Sequence, residues 1–189
     1  MKVFFCRHGQ TQWNQQGRLQ GHLDSSLSPL GVQQALQLGQ HLSKWQPQLL
    51  LSSDLGRAQA TAQLVNEQLQ VNWLSSSLLR ERSFGLLEGQ LRQASPHLWQ
   101  AYDKRFLANE LAIEGAEPAT SVVTRINYFL AKLSTYDANV IVVICHGEWL
   151  RILQHYLNGL SPWLNEYPLP NNCEVIEYTL ADCVDVVLA

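Results

Sequence analysis

The run Val140 to Ile144 (VIVVI) is an unbroken series of branched apolar residues, and Cys145-His146-Gly147 follows it at once. It is far shorter than the ~20 residues a membrane-spanning helix needs. A short branched run without polar alternation marks a strand buried on both faces of a sheet. Burial on both faces requires helices on both sides, so this segment alone points to an α/β architecture with parallel strands.

The same order recurs along the chain. Lys2 to Cys6 (KVFFC) reads as a buried strand and passes directly into the polar segment RHGQTQWN. Leu49 to Leu51 reads as another, and Ser52-Ser53-Asp54 offers capping oxygens to a helix whose apolar side is Ala58, Thr61, Ala62, Val65 and Leu69. Between them, Ser28-Pro29 supplies an N-cap and a first-turn proline. The helix that follows carries Val32, Ala35, Leu36, Gly39 and Leu42 at helical spacing and is expected to end near Trp45, before Pro47. Val71 to Leu74 adds a further strand. A strongly periodic helix starts at Ser121 and runs through Val122, Val123, Ile126, Phe129, Leu130 and Leu133. The tail alternates as strands, with Val175, Ile176 and Tyr178 and then Val184, Val186 and Val187, and no flexible polar extension is expected beyond them.

The expected fold is therefore a three-layer α/β/α arrangement around a mainly parallel central sheet, in which ligands bind beyond the carboxyl ends of the strands. The stretch from Ser83 to Pro118 mixes Gly, Pro and charge, with a short helix expected around Trp99 to Leu107. We read residues 90–118 as a lid insertion in a single domain spanning 1–189, a length able to bury a substantial core.

Composition narrows the function. With 46% hydrophobic residues and a formal net charge of -3, the chain offers no broad basic field for nucleic acid, so any anion site must be local. No apolar run is long enough to span a membrane, and MKVFFCRHGQ turns polar too soon for a secretory signal. Cytoplasmic residence is the expectation. Cys6, Cys145, Cys173 and Cys183 have neither metal-site spacing nor the density of a disulfide scaffold. Cys6 and Cys145 directly precede the two histidines, and core packing is expected of them ahead of a redox role.

Three strand-end clusters carry chemistry: Arg7-His8-Gly9, Ser53-Asp54-Leu55-Gly56-Arg57, and His146-Gly147. Topology should bring them to one rim. Arginine matches phosphate oxygens with a planar fork of donors, histidine serves as nucleophile or donor, and a glycine beside each histidine lets backbone approach a ligand. Each cluster alone is weak, since a lone strand-end histidine is more often a structural residue.

Five blocks in order, RHGQTQWN, RLQGHLDSSLSPLG (18–31), SSDLGRAQATA (52–62), LLRERSFGLLEG (78–89) and VICHGEWLR (143–151), resemble the histidine phosphatase superfamily, also called the phosphoglycerate mutase-like family. The resemblance implies that His8 is the phosphorylated nucleophile. It implies that Arg7, Arg57 and His146 form the phosphate pocket, with Gly147 beside it and Asn14 and Gln20 as polar contacts. Glu81, between Arg80 and Arg82, resembles the proton donor. Gln10 replaces the glutamate of many members, and Gly115-Ala116-Glu117-Pro118 departs from their Gly-Gly-Glu-Ser.

These roles set structural expectations. His8 should donate one ring hydrogen to a backbone carbonyl, leaving the other nitrogen free to attack phosphorus, and nearby Arg7 and Arg57 should disfavour its protonated form. Glu81 should hold its proton more tightly than an ordinary carboxyl. Arg82, Arg92, Arg151 and Glu148 are read as solvated or supporting charges outside the reacting centre. The resemblance implies an enzyme without metal or other cofactor, a phosphatase acting on a small phosphorylated metabolite. Phosphoglycerates, riboside phosphates of cobalamin synthesis, phosphorylated sugars and protein phosphohistidine are the substrate classes it implies. A mutase-type phosphotransferase ranks second, because mutases of this family tend to carry a longer basic insert and a mobile tail. A metal-dependent hydrolase using His8, His146 and Glu81 is disfavoured by the two arginines. A phosphate-binding regulator without turnover is the third alternative. Oligomeric state stays open between monomer and homodimer.

Overall fold

The computed structural model describes residues 1–179 and 181. Among them, β1 (Lys2–Arg7), β2 (Leu49–Ser53), β3 (Asn72–Ser76), β4 (Val140–Cys145) and β5 (Val175–Thr179) form one sheet in the order β3-β2-β4-β1-β5. The first four run parallel, with Arg7 opposite Cys145 and Ser52 opposite Ile144, and β5 closes the edge antiparallel to β1. The VIVVI run occupies the middle of the sheet. The expected strand over Val184, Val186 and Val187 lies outside the described residues.

Side chains of a strand alternate between faces, and here the alternation divides the core in two. On one face Val3, Phe5, Ile141 and Val143 pack under α5 (Ala119–Leu133) and α6 (Gly147–Leu157). On the other, Phe4, Cys6, Val142 and Ile144 pack under α2 (Pro29–Ser43) and α3 (Gly56–Leu69). Burying each such apolar side chain contributes about 1.5–3 kcal/mol, offset largely by chain entropy. Layers on both faces leave the strand ends as the place where polar groups emerge.

Local details differ from the sequence expectations for stated reasons. α2 begins as expected, with Ser28 accepting from Gly31 N. The capping of α3 does not come from Ser52-Ser53-Asp54. Leu55 occupies the N-cap without a side-chain bond, and Asp24, remote in sequence, accepts from Gly56 N at 2.6 Å and Arg57 N at 3.2 Å. α5 starts two residues early, at Ala119, because Asn109 supplies acceptors to Ala119 N and Thr120 N. In the expected lid, α4 covers Pro96–Asp103, not Trp99 to Leu107, since Pro96 suits the first helical turn and the chain tightens into 3-10-type turns beyond Asp103. The short α1 (Gln12–Gln15) follows β1 and is capped by Thr11.

Phe84, Leu87, Trp99, Tyr102 and Ile113 form a third apolar cluster, against which Leu19 packs. This small core anchors the 84–113 segment beside the carboxyl ends of the strands. No helix among the described residues is long and apolar enough to cross a membrane.

Candidate active site

β1, β2 and β4 are parallel neighbours, so the residues that follow them emerge on one rim. There the rings of His8 and His146 lie 5.2 Å apart between centroids, tilted by 58°. His8 N donates to Cys145 O at 2.9 Å, which ties the two loops together. His8 Nδ1 faces Gly9 O at 2.8 Å; a carbonyl only accepts, so this nitrogen carries the hydrogen. Nε2 then holds the lone pair, and Arg57 Nε donates to it at 3.3 Å.

Arg57 is buried and held on three sides. Its terminal nitrogens donate to Leu23 O, Gly21 O and Asp24 Oδ1, each at 2.8 Å. Arg7 is anchored from NH1 to Pro170 O at 2.7 Å, while its buried Nε has no hydrogen-bond partner among the described residues. The two glycines serve the protein's own packing more than backbone approach to a ligand. A Cβ at Gly147 would stand 3.2 Å from Arg7 Cζ and Nε, and one at Gly9 would stand 2.7 Å from Gly31 O.

Glu81 reaches the same place from the turn after β3. Its carboxyl group accepts from Arg82 N and Trp149 N through Oε1, at 3.0 and 2.9 Å, and from Glu148 N through Oε2 at 3.1 Å. The N-terminus of α6 is thus capped by a residue more than sixty positions upstream. Of the two alternatives for Glu148, Arg82 and Arg151, solvated or supporting, burial of all three excludes the first. Glu148 is clamped by Arg151 at 2.8 and 3.0 Å, with Arg82 and Arg105 at 3.9 and 4.0 Å. Of that group Arg92 is the solvated member, paired with Asp103.

Burial, and then the charges of Arg57 and Arg7, hold the His8 imidazole well below its ordinary pKa. His146 is lowered for the same first reason, with Arg57, His8 and Arg7 adding to it. Burial and the Glu148 charge raise the Glu81 carboxyl, against the opposing pull of Arg57 and of the Glu148 and Arg82 N–H groups. The result is a neutral imidazole beside a carboxyl group that retains its proton more readily than usual. Burial also raises the thiols of Cys6 and Cys145, as packed core residues.

Arg7, His8, Asn14, Gln20, Arg57 and Glu81 all line one cavity of about 60 Å³. His146 and Gly147 are not among the residues that line it; the histidine is fully buried, and both its ring nitrogens are without a hydrogen-bond partner among the described residues. Asn14 does two jobs, since its Oδ1 also accepts from Thr11 N in the capping box of α1. Among the described residues no three His, Cys, Asp or Glu side chains are grouped as a metal site.

Sequence reading missed several contributors. Asn172 donates to His8 O at 2.9 Å and Pro170 anchors Arg7, both from the segment leading into the antiparallel β5, whose start falls on the same rim. Asp24 stands in the segment 18–31, where no role is expected of it. Phe84 lines the cavity from the third apolar cluster, and so does Tyr102, which with Trp99 and Phe106 is expected of the 90–118 segment as an apolar contact.

The family model described as histidine phosphatase superfamily (branch 1) matches residues 3–188. A Salmonella paratyphi C protein named "Probable phosphoglycerate mutase GpmB" is 29% identical over 178 residues, covering 93% of this chain and 83% of the relative. The structure of a mycobacterial glucosyl-3-phosphoglycerate phosphatase complexed with VO3 superposes with a TM-score of 0.86 at 28% identity, covering 94% of this chain and 92% of that one. That of the alpha-ribazole phosphatase from Shigella flexneri gives 0.75 at 30% identity, covering 86% and 82%.

Proposed function

Because this chain belongs to the histidine phosphatase superfamily, we propose that it is a phosphatase that hydrolyses small phosphomonoesters, without a metal, through a phosphohistidine on His8. The observation that carries the proposal is the orientation of His8. Nδ1 is committed to Gly9 O, and the remaining nitrogen shares a cavity with Arg57, Arg7 and Glu81.

The arrangement supports each step of in-line transfer. A phosphoryl oxygen is a stronger acceptor for guanidinium than an imidazole nitrogen, so a bound ester draws the Arg57 donor onto itself and frees the Nε2 lone pair. Nε2 bonds to phosphorus as the ester P–O bond breaks, and Arg7 and Arg57 balance charge on the equatorial oxygens. Glu81 gives its proton to the departing alkoxide. A water then attacks the phosphohistidine, Glu81 takes the water's proton, and the P–N bond breaks to leave inorganic phosphate and neutral His8. Keeping His8 unprotonated and Glu81 protonated calls for the opposed pKa shifts of the site.

Related phosphatases favour release to water, whereas the likeness to the mutase-named relative keeps transfer to a second substrate as the alternative outcome. The test is turnover of phosphomonoesters in a chelator with wild type and His8→Ala. Expected are phosphate release at undiminished rate in the chelator, acid-labile phosphate trapped on His8, and loss of both in the variant. Transfer to phosphoglycerate far exceeding phosphate release would make it a mutase. Phosphate binding without turnover would make it a regulator.

A further inference from the structure

Two successive peptide groups of the His8 loop are gripped by side chains from distant parts of the chain. His8 O accepts from Asn172 Nδ2 at 2.9 Å, and Gly9 N donates to Thr61 Oγ1 at 3.0 Å. The peptide group joining His8 to Gly9 is planar, so holding its oxygen and its N–H together restrains the whole plane. Beyond that plane, only the two dihedrals of Gly9 stand before Gly9 O, the carbonyl that receives the Nδ1 hydrogen of His8. Glycine is the freest residue in those dihedrals, so its surroundings must aim that carbonyl. The next N–H, of Gln10, donates to Gln34 Oε1 at 2.9 Å and completes the frame.

Asn172 is itself firmly placed. Its Nδ2 faces two acceptors, His8 O and, at 3.4 Å, Asn14 Oδ1, which also accepts from Thr11 N. The amide orientation follows, since the Asn172 oxygen in that place would meet acceptors only. Glu174 braces the turn before β5, its N donating to Asn171 O and its Oε2 accepting from Asn171 N at 2.7 Å. Cys173 N donates to Arg7 O and Arg7 N to Glu174 O, two residues against one, which is the pairing of a β-bulge. Cys173 has φ 59°, the left-handed position that glycine usually takes in such a bulge. Bulges re-aim neighbouring side chains, and a left-handed residue other than glycine persists where its surroundings over-determine it.

We infer that Asn172 is a positioning residue for phosphoryl transfer: by holding the peptide between His8 and Gly9, it keeps Gly9 O on Nδ1 and the Nε2 lone pair aimed into the cavity. This rests on the phosphatase reading above and deepens it. Before a substrate binds, Arg57 Nε also marks Nε2 as the acceptor. Once a phosphoryl group draws that donor away, Gly9 O is the ring's remaining hydrogen-bond partner among the described residues. Its aim then decides which nitrogen carries the hydrogen. A swing of the carbonyl lets the hydrogen pass to Nε2, where it blocks attack on phosphorus.

The test compares wild type with Asn172→Leu, which is close in shape and has no donor. Phosphohistidine formation should slow by about tenfold to 10²-fold in the variant. Inhibition by inorganic phosphate should stay within about threefold of wild type, because Arg7 and Arg57 still hold the ion. The ring-nitrogen resonances of isotope-labelled His8, identified by their absence from His8→Ala, are read with saturating inorganic phosphate. They should show the hydrogen on Nδ1 in wild type and a mixture of both ring forms in the variant. Asn172 is half-buried and outside the apolar clusters, so Asn172→Ala is read in the same way if Asn172→Leu does not fold. A wild-type ring with its hydrogen on Nε2, a folded variant with the wild-type ring form, or an unchanged rate of phosphorylation would each overturn the inference. So would a rate loss matched by an equal loss of phosphate inhibition, which would make Asn172 a support of the phosphate pocket alone. Wild type that neither hydrolyses phosphomonoesters nor binds phosphate would sink the phosphatase reading and this inference with it. An active enzyme whose ring spectrum ignores Asn172 would sink this inference alone.

Discussion

Arg57 Nε donates to His8 Nε2 at 3.3 Å while His8 Nδ1 faces Gly9 O at 2.8 Å, so both nitrogens of one imidazole are assigned by neighbours of opposite character. The arginine that identifies the nucleophilic nitrogen is also the one placed to receive the phosphoryl oxygens. Arg57→Ala should lower the rate of phosphohistidine formation by about 10²-fold or more. Arg57→Lys keeps the charge but loses the fork and the Nε donor, and should remain at least ~10-fold slow. Rapid-quench measurement of the phosphoenzyme separates this loss from any change in its hydrolysis. A lysine variant with wild-type phosphorylation would show that charge alone suffices.

The two buried histidines make stability depend on pH. Both are held below the ordinary imidazole value of 6.5, so between that value and their folded values the unfolded chain binds more protons. Stability is then fully present above about pH 6.5 and is lost as pH falls toward the folded values, by up to about 1.4 kcal/mol per pH unit for each group. Thermal unfolding followed from pH 7.5 downward should show a falling Tm below about 6.5. His146→Asn, which removes one of the two groups, should flatten the slope. An unchanged slope in that variant would assign the dependence elsewhere.

Glu81 is raised by burial and by Glu148, and its task as proton donor predicts a dependence on the leaving group. Glu81→Gln should cost about 10²-fold or more with an alkyl phosphate, whose alkoxide needs a proton. With p-nitrophenyl phosphate, whose phenolate departs unaided, the loss in the first half-reaction should be much smaller. Wild-type alkyl phosphate turnover should also decline as pH rises through the Glu81 value, a limb that the glutamine variant lacks. Equal losses with both esters would remove Glu81 from proton transfer and leave it as the cap of α6.

Much of the sheet and several residues of the rim were legible in the sequence because periodicity reports local burial and strand ends report where polar groups emerge. VIVVI and KVFFC had to be central, and Arg7, His8 and His146 follow them directly. What escaped came from groups whose partners are distant along the chain. Glu148 has Arg151 three residues on in the same helix, but the burial of the pair depends also on Arg82 and Arg105, which only folding brings near. Asp24 caps α3 across thirty-two residues, while the nearby Ser53 and Asp54 are placed otherwise, Asp54 pairing with Arg80. Asn172 meets His8 because β5 enters the sheet antiparallel, a direction that local pattern does not encode.

Asp24 offers the clearest separation of placement from chemistry. Its two oxygens accept from Gly56 N, Arg57 N and Arg57 NH1, so one side chain both caps α3 and aims the arginine that the helix carries. Asp24→Ala should destabilise the protein by about 0.5–2 kcal/mol through loss of the cap. Asn is no remedy, because its amide would turn a donor toward donors. Gly21 O and Leu23 O still hold the far end of Arg57, so kcat/KM should fall less than in Arg57→Ala, by about tenfold. Inhibition by inorganic phosphate should weaken in parallel, since a misaimed guanidinium loses bound phosphate and transition state together. A variant with lowered Tm but unchanged phosphate inhibition and kcat/KM would leave Asp24 as a helix cap alone.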